Sequence, residues 1–111
     1  MASIIERHEE LWRRLDSFLA LASASHKQEF VQLVAETMLE LHMTQADLAR
    51  YVDVSAGTVS RWLSGGNCPH RSQQRRVLSV LKRRLRRQIT MERHRDALVR
   101  SIDAPKIAAA M

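Results

Sequence analysis

Cysteine occurs once, at Cys68, so no disulfide can form within the chain, and an interchain one would be unusual in a reducing compartment. Glycine occurs three times and proline twice, and aromatic residues make up only 5% of the 111 residues. With turn-makers so scarce and Leu, Ala, Arg, Glu and Gln abundant, a mostly helical fold is expected. No apolar run approaches the length needed to span a bilayer. The start, Ile4-Ile5-Glu6-Arg7-His8-Glu9-Glu10, is acidic and amphipathic, unlike a signal peptide. No glycine-rich phosphate loop is present, and Ser, His and Asp show no catalytic arrangement. Cys68 and His70 are close in sequence but have no second pair at zinc spacing. Neither catalysis nor a metal or other cofactor is expected.

What is present is charge, unevenly placed. Residues 1–60 hold five Lys/Arg against nine Asp/Glu, a net −4, whereas residues 61–100 hold twelve against two, a net +10. The last eleven residues hold one of each, which returns the overall +6. A polarised basic half is the electrostatic footprint of a protein that contacts phosphates. A soluble, cytoplasmic protein is the expectation that fits.

The apolar spacing divides the chain into a first helix in residues 1–24, a central unit in 25–88 and a C-terminal helix and tail in 89–111. Ser3 caps the first helix, with Glu6 at its box position. Ile4, His8, Leu11, Leu15, Phe18 and Ala22 recur every three or four residues, and Ile5, Trp12 and Leu19 widen the stripe. A second helix begins at Ser25, with Gln28 at its box position, and buries Phe30, Leu33, Val34, Thr37, Met38 and Leu41 before ending at His42-Met43. Two short helices follow over 45–52 and 56–63, the first capped by Thr44 with Asp47 three residues on. Residues 65–70 form a loop. A last helix opens at Ser72 with Val77, Leu78, Leu81 and Leu85 inside. Continuation through Ile89-Thr90 and a break there are both open, and Asp103-Ala104-Pro105 is expected to stop it, leaving a frayed tail.

The stretch T-Q-A-D-L-A-R-Y-V-D-V-S-A-G-T-V-S-R-W-L-S-G, residues 44–65, carries the function. It reads as two short helices joined by a tight turn, the second with small polar residues and an arginine on its free face. That is the layout of a helix-turn-helix. The segment resembles the Cro and phage-repressor (XRE-like) type of helix-turn-helix regulator over roughly residues 31–85. The resemblance implies an all-α domain of about five helices, with an extended N-terminal helix and a basic C-terminal one. It also implies that Ala49 sits where the two motif helices cross, and that Leu48, Val54, Val59 and Trp62 fill the core beneath them. Asp53 stands where the family's turn carries a positive-φ glycine, and Asp is among the few residues that tolerate that conformation.

On this resemblance, Ser55, Ala56, Gly57, Ser60 and Arg61 face the bases, with Ser55 also capping the recognition helix. Arg61 is the best base reader, since its fork can bridge guanine O6 and N7. Gly57 lets the backbone approach the DNA. Thr44, Gln45, Ser64, Asn67, Arg71 and Arg75 are the expected phosphate contacts. The run Lys82-Arg83-Arg84-Leu85-Arg86-Arg87 cannot turn all its cations the same way on a helix. The expected function is a sequence-specific transcriptional regulator, a dimeric repressor on a palindromic double-stranded operator. Ile4, Ile5, Leu11, Trp12, Phe18 and Leu19 of the first helix are the expected dimer face. Two alternatives share the motif: an antitoxin-type protein holding a partner through its N- or C-terminal helix, and a weakly specific DNA-binding accessory factor.

Overall fold

The structure is a computed structural model that describes residues 3–21 and 27–110, with side chains described to residue 102. Five helices follow one another: α1 (Ile4–Ala20), α2 (Lys27–Glu40), α3 (Gln45–Val52), α4 (Ala56–Leu63) and α5 (Arg71–Ala110). The described residues contain no strand. The expected Ser25 cap and the break over residues 22–26 lie outside the described residues.

Local chemistry sets the element ends. The Ser3 hydroxyl accepts the Glu6 amide at the start of α1. At α3, Thr44 Oγ1 accepts the Asp47 amide while Asp47 Oδ2 accepts the Thr44 amide, a complete capping box. Three left-handed residues terminate helices. His42 (φ 53°) follows α2, Asp53 (φ 59°) follows α3, and Gly65 (φ 78°) follows α4. Around His42, the Met43 amide reaches back to the Met38 carbonyl at 2.8 Å, satisfying a helix-end acceptor.

One core joins all five helices. Phe30, Leu33 and Val34 of α2, Leu48 and Val52 of α3, Val59 and Trp62 of α4, and Val77, Leu78, Leu81 and Leu85 of α5 are buried together. Phe30 and Trp62 meet edge to face, with ring centroids 6.3 Å apart. Leu11, Leu15 and Phe18 of α1 complete this core.

Helix α1 runs antiparallel to α5 and is clamped there by polar contacts along its length. His8 is 3% exposed, with Nδ1 2.9 Å from Glu92 Oε1 of α5 and Nε2 2.8 Å from Glu40 Oε2 of α2. Glu9 pairs with Arg93, Asp16 with Lys82 at 2.5 Å, and the Leu19 carbonyl accepts from Arg75 Nη1 at 2.7 Å. Arg14 ties α1 to Glu36 of α2.

Helix α5 departs from expectation at its far end. It does not stop at Pro105 but is continuous from Arg71 to Ala110, which also decides between the two possibilities open at Thr90 in favour of continuation. The Thr90 hydroxyl donates to the Arg86 carbonyl at 3.0 Å, so the polar side chain is satisfied inside the helix. Pro105 lacks an amide and forfeits one intrahelical bond, yet Ala104 before it and the alanines at 108–110 are the strongest helix formers. Among the described residues, no helix is long and apolar enough to cross a membrane.

Candidate nucleic-acid interface

The core side of α4 is rigidly seated. Val59 is fully buried and Trp62 is 2% exposed, while Ala49 of α3 is buried and small enough for the two helices to approach closely. Asp53 makes the turn between them, its amide donating to the Ala49 carbonyl. Ser55 then caps α4 by accepting the Thr58 amide at 3.1 Å.

With that underside fixed, Ser55, Ala56, Gly57, Ser60, Arg61 and Ser64 are all exposed on the outer surface of α4 and its C-cap. Hydroxyls and a guanidinium are linked across this surface. Ser55 Oγ lies 2.8 Å from Thr58 Oγ1, which accepts from Arg61 Nη2 at 3.3 Å. Arg61 is thereby held back toward the N-terminal end of its helix, the end that contacts base edges in a helix-turn-helix. Thr58 did not stand out in the sequence. Its signal was there in the spacing of three that separates Ser55, Thr58 and Arg61.

Gly57 is not demanded by the fold. A Cβ there would lie 3.8 Å from Ser55 Oγ and 3.9 Å from Arg61 Nη1, ordinary contact distances. A glycine that packing does not require, at the front of an exposed helix, leaves the backbone open to a close ligand.

The expected phosphate contacts divide in two. Thr44 has its amide and hydroxyl engaged in the capping box, which leaves the amides of Gln45 and Ala46 as the unbonded donors at the α3 N-terminus. The box carboxylate, Asp47, also accepts from Arg50 at 2.6 Å. Its hydrogen bonds to the Thr44 amide and hydroxyl, then to Arg50, hold its pKa below the ordinary aspartate value. Ser64 Oγ donates to the Arg61 carbonyl at 3.1 Å and must release it to donate to a phosphate. Asn67 and Arg71 are exposed. Arg75 is instead engaged, since its guanidinium binds the last turn of α1. The loop between α4 and α5 is stapled by Gln74, buried at 7% exposure, whose Nε2 donates to the Pro69 carbonyl and to Cys68 Sγ. Cys68 is thus part of a loop brace.

The basic run is similarly divided. Lys82 and Arg86 lie over the Trp12 ring at 4.7 and 5.1 Å, and Arg84 lies 3.6 Å over the Tyr51 ring. Arg76, Arg83 and Arg87 are exposed, and spacings of seven and four place them on one face of α5, away from the core. The expected dimer face is also largely used within the protomer. Leu11 and Phe18 are buried, Trp12 and Leu19 pack against the core, Ile5 is half-buried, and Ile4 is 53% exposed. Leu11 and Phe18 are therefore unavailable to a partner in this fold.

A family model described as helix-turn-helix matches residues 34–88, the span from the middle of α2 through the first half of α5. The chain belongs to the Cro/phage-repressor type of helix-turn-helix family. The matched span contains every residue that builds the α3–α4 unit described above, and the helix-turn-helix family is one of DNA-binding regulators. Neither a curated protein nor a solved structure matches the chain.

Proposed function

We propose that this helix-turn-helix protein is a sequence-specific repressor that binds a short palindromic operator as a homodimer. Each protomer lays α4 in the major groove, with Arg61 bidentate on a guanine, Ala56 against a thymine methyl, and Ser55 and Ser60 on neighbouring edges or phosphates. Gly57 lets the helix backbone come close. Gln45 and the free α3 amides anchor one flanking phosphate, and Asn67 and Arg71 anchor the other. The exposed arginines of α5 add sequence-independent attraction. Repression follows by occlusion of the polymerase, which needs no sensory domain.

The observation that carries this reading is the outer surface of α4: polar, exposed, held by an apolar underside, with one preorganised arginine. Selection of bound sequences from a random duplex pool tests it. The expected result is a palindromic consensus containing a guanine in each half-site, with half-site centres one helical turn apart, about 34–36 Å. Recovery of unenriched sequence would refute it. That result would favour the second reading, a weakly specific accessory factor, for which the sparse reading face of one arginine and small side chains is the supporting feature.

A further inference from the structure

His8 is buried in a way that sets a condition on its protonation. Its side chain is 4% exposed, and each ring nitrogen faces a carboxylate. Nε2 lies 2.8 Å from Glu40 Oε2 on α2, and Nδ1 lies 2.9 Å from Glu92 Oε1 on α5. A neutral imidazole has one N–H and one lone pair, so it can donate to only one of them. The other contact would set a lone pair against a carboxylate oxygen at hydrogen-bond distance. The three groups in this geometry therefore hold one proton more than a neutral ring and two carboxylates would.

Where that proton sits follows from the surroundings. Glu40 Oε2 also accepts from Arg7 Nη2 at 3.4 Å, so it is an acceptor for His8 Nε2 as well. Glu92 Oε2 accepts from Gln88 Nε2 at 3.4 Å, which leaves the proton between Glu92 Oε1 and His8 Nδ1. Imidazole is ordinarily the more basic of the two groups by about two pH units, so the ring carries it. With an imidazolium, the charges of Glu40, Glu92, His8 and Arg7 cancel. Without it, the Glu92 side chain, 10% exposed, and that of Glu40, 29% exposed, are left with an uncompensated negative charge. The neighbouring charges balance among themselves, Glu9 with Arg93 and Arg14 with Glu36.

We propose that His8 is a proton-held clamp, an imidazolium that bridges Glu40 and Glu92 and docks α1 on α2 and α5. The docking then weakens as pH rises above neutrality. A histidine in an unfolded chain gives up its second proton near about pH 6.5. The clamp keeps that proton, so above this pH the native state binds more protons than the unfolded one. Its contribution to stability is therefore complete below about pH 6.5 and is lost as pH rises. Release also redistributes charge. Helix α1 holds Arg75 through the Leu19 carbonyl, Lys82 through Asp16 and Arg93 through Glu9. Loosening α1 returns those cations to solvent, so one proton sets how much positive charge α5 offers.

The test needs the full chain and no DNA, which keeps it separate from the repressor reading. Long-range proton–nitrogen NMR at about pH 7.5, with the His8 signals identified by their loss in His8→Gln, should show both ring nitrogens protonated. Chemical denaturation over about pH 6.5–8 should show the folding constant falling with pH, by up to about tenfold per pH unit for one proton. His8→Gln should remove that fall. Glu92→Gln offers Nδ1 an amide donor and so satisfies a neutral ring. It should keep the fold and remove the pH dependence as well. If His8→Gln does not fold, Glu92→Gln and the wild-type spectrum decide. An unprotonated ring nitrogen on His8 at pH 7.5, or a pH slope that Glu92→Gln leaves in place, overturns the proposal.

Discussion

Helices α4 and α5 hold their positive charge in different ways. The single cation of α4, Arg61, is exposed and tethered only to Thr58 at 3.3 Å. Much of the charge on α5 is folded inward. Arg75 caps the last turn of α1, Lys82 pairs with Asp16, Arg84 covers Tyr51, and Arg93 pairs with Glu9. The acidic first half of the chain and its basic second half are thus partly each other's counterions. Net charge along a sequence therefore overstates the charge offered to a ligand. Among the described residues of α5, the exposed arginines left without an ion pair, ring or backbone contact are Arg71, Arg76, Arg83, Arg87 and Arg95, since Arg86 lies over Trp12 and Arg100 pairs with Asp96.

This contrast can be broken or sharpened by mutation. The largest effect is expected beneath α4. Trp62→Ala should cost about 3–5 kcal/mol of stability by chemical denaturation, because it empties the space against Phe30 on which the reading helix rests. If the unfolding midpoint barely moved, the rigid seating of α4 would be wrong.

Gly57→Ala separates fold from reading. The free protein has room for the methyl group, so helix propensity predicts a gain of up to about 1 kcal/mol in stability. DNA affinity should fall all the same, since the methyl group keeps the backbone from the groove. Equal or tighter DNA binding by titration would remove the close-approach role.

Arg84→Ala probes the inward-turned charge. Losing its stack on Tyr51 should cost about 0.5–1 kcal/mol of stability and leave the salt dependence of DNA binding unaltered. A flattened salt slope would move Arg84 to the DNA-facing set.

The smallest effect concerns pH. The folded state holds Asp47 as a carboxylate with a pKa below its unfolded value. Its contribution is therefore in place above the unfolded pKa and is lost as pH falls through the depressed folded one. Acid titration should fray the start of α3, read by amide exchange at Asp47 and Leu48. Asp47→Asn should remove that part of the pH slope, and an unchanged slope would show that the box is not the cause.

The motif helices were legible to the residue because their ends are set by neighbours in sequence. Thr44 with Asp47, Asp53 in the left-handed region and Ser55 as a cap each act within a few positions. The α5 core residues were legible for the same reason, by their spacing of three and four. Helix α1 was legible as an amphipathic helix but not in its use. Its docking depends on His8 meeting Glu40 and Glu92, and Arg75 meeting Leu19, pairs separated by 32 to 84 positions with no local signature. The same gap explains Arg75, whose side chain looked free for phosphate. The continuation of α5 through Pro105 ran against the local rule that proline ends a helix.

The central claim is that α4 supplies discrimination and the exposed face of α5 supplies grip. Binding of wild type, Arg61→Ala and Arg83→Ala to the selected operator and to a scrambled duplex, across a salt series, tests it most directly. Arg61→Ala should lose about 1–3 kcal/mol of preference for the operator over the scramble. Arg83→Ala should weaken both duplexes alike and reduce the salt slope by about one unit. Equal, sequence-blind losses for the two variants would contradict this division of labour.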